Sequence, residues 1–133
     1  MVKTGFYTLS LTALISVSIL LIGCGNSGTD LVYNDGSGVS IRASGSGIFV
    51  TNNTPKDIHN FLIEQNAAAY TDWIAGCNDI NKIVAGGINE ILYADILNYR
   101  KECDLLFYWW NCKQAESGGQ IPEALKSISL KTK

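Results

Sequence analysis

Apolar and polar positions alternate most regularly between residues 31 and 53. Leu31-Val32-Tyr33, Val39-Ser40-Ile41-Arg42-Ala43 and Ile48-Phe49-Val50-Thr51 are rich in β-branched and aromatic residues, and Asn34-Asp35-Gly36-Ser37-Gly38 and Ser44-Gly45-Ser46-Gly47 break the chain between them. Alternation puts Val39, Ile41 and Ala43 on one face and Ser40 and Arg42 on the other, so a three-stranded antiparallel meander is predicted. Three short strands are marginal alone, and a helical layer is expected to cover their apolar face. The rival view makes 25–53 a disordered, Gly/Ser-rich spacer in front of a mainly α domain.

Beyond residue 53 the spacing changes to threes and fours. Thr54-Pro55 offers a hydroxyl cap and a first-turn proline, with Asp57 close behind. Ile58, Phe61, Leu62, Gln65, Ala69 and Trp73 then fall on one helical stripe that stops at Gly76. A second helix is predicted from Ile88, with Ile91, Leu92, Ile96, Tyr99 and Cys103 on its apolar side and Glu90, Asn98, Arg100 and Lys101 elsewhere. Residues 121–128 read as a short last helix with Pro122 near its start. The expected fold class is α+β: a short antiparallel β-meander at 31–53, followed by a helical hairpin or small helical bundle at 54–133.

The start of the chain follows another pattern. Lys3 precedes an apolar stretch from Tyr7 to Ile22, interrupted by Thr8, Ser10, Thr12, Ser16 and Ser18. This is the charged-then-apolar layout of an export signal, and it is shorter than the roughly 20 apolar residues of a spanning helix. It ends in Leu21-Ile22-Gly23-Cys24, which resembles the lipobox of bacterial lipoproteins at all four positions. The resemblance implies that residues 1–23 are a signal peptide, that the Cys24 thiol is lipidated, and that 24–30 form a tether to a single small domain at 31–133. Two or three acyl chains would bind membrane lipid firmly, where one chain binds only reversibly. The resemblance places the protein at the cell membrane or outer membrane, facing the periplasm or exterior. Gly25 after the anchor, in place of aspartate, fits the outer membrane.

Removing residues 1–23 from the 133 leaves 110, enough for one core, and the loss of Lys3 takes the formal charge from −2 to −3. No basic run exceeds Arg100-Lys101, which argues against nucleic acid as a partner. Export puts Cys77, Cys103 and Cys112 in an oxidising compartment. A Cys77–Cys103 bridge between two helices is favoured, with Cys112 as the alternative partner. None forms a CxxC pair, so zinc and thioredoxin-like chemistry score poorly, and no cofactor is expected.

Catalytic sets are also poorly supplied. His59 is the only imidazole, with no serine or cysteine close in sequence, and reads as a surface or helix-end residue. Glu90, Asp95 and Glu102 read as the wet side of a helix rather than a glycosidase pair. The run Leu105-Leu106-Phe107-Tyr108-Trp109-Trp110 stands out, because no single face of one element can bury it unaided. It either plugs the core or leaves Tyr108, Trp109 and Trp110 as an interaction patch. The expected role is a non-enzymatic lipoprotein that binds an envelope protein as an accessory, assembly or exclusion factor. The alternative is a small-ligand or lipid binder with a pocket lined by Trp73, Phe107 and the tryptophans.

Overall fold

The computed structural model describes residues 31–132; the expected export signal at 1–23, Cys24 and the expected tether at 24–30 lie outside the described residues. The meander is present as β1 (Val32–Asn34), β2 (Val39–Ala43) and β3 (Gly47–Asn52), paired antiparallel with Ile41 opposite both Tyr33 and Val50. What covers its apolar face is a second sheet. The helical hairpin or bundle expected over 54–133 is overturned, as is the mainly α alternative: among the described residues the regular α-helix is α1 (Gln65–Ala68), with a 3-10 turn at Tyr93–Asp95.

The second sheet has the order β10-β7-β4-β5, built from β4 (Ile58–Glu64), β5 (Lys82–Ile83), β7 (Asp104–Trp110) and β10 (Lys126–Lys131). The first sheet gains β6 (Ile88–Leu92) as an edge, in the order β1-β2-β3-β6. A small ribbon, β8 (Cys112–Gln114) with β9 (Gln120–Pro122), extends from the end of β7. Val39, Ile41, Ile48 and Val50 from one sheet and Ile58, Leu62, Leu105, Phe107, Trp109, Ile128 and Leu130 from the other share one buried cluster, which makes the fold a β-sandwich. On one side the sheets are stitched by Tyr33, whose hydroxyl accepts from the Lys131 amide at 2.9 Å.

The corrections have local causes. In β4, Ile58, His59, Asn60, Leu62, Ile63 and Glu64 are all buried because both faces are covered, which erases the period-two signal and leaves spacings that mimic a helix. Thr54-Pro55 opens no helix. The Thr54 amide and hydroxyl bond to Asn52 Oδ1 at 3.0 and 2.7 Å, and fully buried Asn52 donates to the carbonyls of Lys56, Ile83 and Val84, so this amide ties three chain segments together. The stripe at 88–103 divides between β6 and an irregular return, with Ile88 and Leu92 facing solvent. β3 and β6 approach closely at Gly47, where any Cβ would overlap the Ile91 carbonyl. At the C-terminus, Lys126-Ser127-Ile128-Ser129-Leu130-Lys131 alternates cleanly, with Ile128 and Leu130 in the core and Ser127 and Ser129 outside.

Candidate functional site: a disulfide-held strap over an aromatic cluster

Alternation along β4 and β7 sends Leu105, Phe107 and Trp109 to the core and Leu106, Tyr108 and Trp110 to the outer face. There, Trp110 lies opposite His59 and Tyr108 opposite Phe61. A strap at residues 69–81, irregular for most of its length, crosses this outer face between α1 and β5. Trp73 fills the centre of the cluster, with its ring centroid 4.7 Å from Phe61, 4.9 Å from Tyr108 and 5.9 Å from Trp110. The indole Nε1 of Trp110 donates to the Gly76 carbonyl at 3.0 Å. The next residue, Cys77, is bonded to Cys112.

Both ends of the strap are fixed. At its start the buried Glu64 carboxylate caps α1, accepting from the amides of Asn66 at 3.1 Å and Ala67 at 2.8 Å. Arg100 lies 3.7 Å away. The Asn66 amide is the largest influence holding the Glu64 carboxyl below the ordinary glutamate range; burial opposes it, and the Ala67 amide and Arg100 add to it. At the far end, Asn60 donates through its amide and its Nδ2 to the Asn81 carbonyl, at 3.0 and 2.8 Å. Asp79 pairs with Lys82 at 2.6 Å, which lowers the Asp79 carboxyl and raises the Lys82 ammonium.

A segment held this firmly nevertheless turns apolar side chains to water. Tyr70, Ile74 and Ile80 are 91%, 95% and 85% exposed, the three most exposed large apolar residues among those described. Loops of this length without secondary structure are uncommon in compact domains and are usually functional or disordered. The bridge, the stacking and the anchoring hydrogen bonds argue for the first.

Several expectations change here. The disulfide uses Cys112, not Cys103, because with no helix at 88–103 these two cysteines flank opposite ends of β7, and the strap reaches only the Cys112 end; Cys103 is the free thiol, half-buried against the core. Tyr108, Trp109 and Trp110 do not form one exposed patch. Trp109 is in the core with Lys126 Nζ 4.1 Å over its ring, while Trp110 is 4% exposed beneath the strap. Trp73 and Phe107 lie on opposite faces of the sheet and cannot line one pocket, and Trp73 itself occupies the aromatic cluster.

His59 is a buried strand residue stacked on Trp110, with ring planes 19° apart and Nδ1 without a hydrogen-bond partner among the described residues. The cleft beside it, about 260 Å³, is lined by Lys56, Asp57, Asp79 and Lys82 and by Cys112, whose sulfur is already in the disulfide. No group of three or more His, Cys, Asp or Glu side chains suited to a metal occurs among the described residues. Sequence reasoning placed Trp73 on a helix and passed over Tyr70, Ile74 and Ile80. Their one visible signal was a run of apolar residues beside a cysteine with no regular period. Compared with protein-family models, with curated proteins and with solved structures, the chain finds no match in any of the three.

Proposed function

We propose that this chain is a lipid-anchored envelope protein that binds a protein partner through the strap, as an accessory, assembly or exclusion factor rather than an enzyme. The observation that carries the proposal is the combination of exposure and fixation: Tyr70, Ile74 and Ile80 face water on a segment immobilised by Trp73, by the Trp110 hydrogen bond and by Cys77–Cys112. Apolar side chains carried on a backbone that is already fixed spare the cost of ordering that backbone on docking, which is how a small surface becomes a strong contact. The anchor supplies the second half of the proposal. From Cys24 the tether spans at most roughly 25 Å before Leu31, at about 3.5 Å per residue, so the sandwich would stay near the membrane and meet partners there.

The test is photocrosslinking in the native envelope, with a benzophenone amino acid at Ile74 and, as a control, at Ser40 on the outer face of the other sheet. A discrete adduct from position 74 that is absent from position 40 supports the reading. Identical patterns, or none, overturn it. The anchor is tested separately by labelled palmitate, which should enter the wild-type chain and not the Cys24→Ala variant.

A further inference from the structure

On the side of the sandwich away from Tyr33 and Lys131, the two sheets do not close. β5 covers only Ile58 and His59 of β4, and the Asn60 amide still reaches the Asn81 carbonyl. The chain returns to β4 only at Leu97, which bridges Ile63 in parallel and accepts from the Glu64 amide at 3.3 Å. Backbone groups alternate sides along a strand, so the Asn60 carbonyl and the Leu62 amide point into the interval between these two covers. Neither has a partner among the described residues.

The facing bank is β6. The Tyr93 amide donates to Ser46 and the Gly87 carbonyl accepts from Asn52, so odd-numbered residues of this stretch bond to β3 and the amides and carbonyls of Ile88, Glu90 and Leu92 face outward. β6 lacks the lysine or proline that commonly blunts an edge strand. A slot of about 270 Å³ separates the banks, lined among others by Asn60, Phe61, Asn89, Ile91 and Leu97, and its charged lining residues, Glu90 and Asp95, are both acidic. That is several times the roughly 30 Å³ share of one water.

We propose that this seam is a strand-addition site for an extended, basic peptide segment of a partner protein. One residue of the segment lies beside Phe61, donating its amide to the Asn60 carbonyl and accepting from the Leu62 amide, in the parallel sense already set by Ile63 and Leu97. Its other edge faces the outward groups of β6, and lysine or arginine side chains at its rim meet Glu90 and Asp95. The proposal depends neither on the lipid anchor nor on a partner at Tyr70, Ile74 and Ile80.

The probes are an acetylated, amidated hexapeptide of alternating lysine and valine and its glutamate counterpart, added to the full chain in detergent. Backbone hydrogen exchange is read at Leu62, Ile88, Glu90 and Leu92. The lysine peptide should slow exchange at Leu62 by about tenfold or more, the glutamate peptide should do so much less, and Asp95→Lys, which sets one new positive charge against that of Glu90, should erase the difference. Glu90→Pro removes an outward amide while sparing the β3 ladder, and should abolish protection at Leu62 with exchange in β3 unchanged. If that variant does not fold, the Asp95→Lys comparison still decides. Equal effects of both peptides on the wild-type chain, or no protection at millimolar peptide, overturn the proposal. Protection of β6 that rises with protein concentration alone, with a doubled mass, also overturns it, because a second copy then occupies the edge.

Discussion

Asn52 and Gly47 show how single residues hold this sandwich together. The Asn52 side chain is fully buried and satisfies the nearby Lys56 carbonyl and the distant carbonyls of Ile83 and Val84, so Asn52→Ala leaves several polar groups unpaired in the interior. A buried unsatisfied group costs about 1–3 kcal/mol, and a loss of at least about 3 kcal/mol is expected in chemical denaturation. Gly47→Ala sets a methyl group against the Ile91 carbonyl. Overpacking of this kind costs roughly 1–3 kcal/mol, and an alanine variant that melts with the wild type would contradict the close approach of β3 and β6. Glu64 adds a pH signature. Its carboxyl is held below the ordinary value of 4.5 in the folded state, so its contribution is complete above that pH and disappears as pH falls through the folded value. Glu64→Gln should therefore flatten the decline in melting temperature on acidification below about pH 4.5, measured against wild type.

Among the elements, β4 and β7 are the least legible from sequence and the strap explains why. A strand with one wet face announces itself by alternation, as β2 and β10 do. β4 and β7 are covered on the inside by the core and on the outside by the strap, so β7 carries a near-continuous apolar run and β4 buries His59, Asn60 and Glu64 along with its apolar residues, and neither alternates. Leu105 to Trp110 had two proposed destinations, and three of its residues go to each side of the sheet. The disulfide should matter at this scale. Its cysteines are 35 residues apart, and closing such a loop stabilises by about 4 kcal/mol in the chain-entropy account. Cys77→Ser paired with Cys112→Ser should lower stability by that order and free the strap, giving red-shifted tryptophan emission and stronger acrylamide quenching. Mass spectrometry of the unreduced, alkylated chain should find the label on Cys103 among the three cysteines of the described region.

At the scale of the molecule, stability and binding separate cleanly on the strap. Ile74 is 95% exposed and supports nothing beneath it, so Ile74→Asp should change stability by no more than about 0.5 kcal/mol. Under the proposed function the same change removes the partner adduct formed from a benzophenone amino acid at Tyr70, the neighbouring exposed position on the strap. Trp73→Ala does the opposite first: it empties the aromatic cluster and should cost about 3 kcal/mol or more before binding is considered. A Trp73 variant that keeps full stability would mean that the strap is not packed on the sheet.

Taken by itself, the sequence determined what depends on neighbours along the chain. The Gly-rich breaks and alternating residues of 31–53 specify three strands, because turn chemistry and period two are local, and the resemblance of Leu21-Ile22-Gly23-Cys24 to a lipobox likewise rests on four adjacent residues. The tertiary structure alone decided the rest. Whether Ile58 to Glu64 coils or extends depends on what covers its second face, and that cover comes from a strap later in the chain. Which cysteine meets Cys77 depends on which end of β7 the strap reaches, and the open seam between β4 and β6 exists only because two sheets from interleaved segments fail to meet there. Burial on both faces and strand partners distant in sequence are non-local, and a residue pattern carries no record of them.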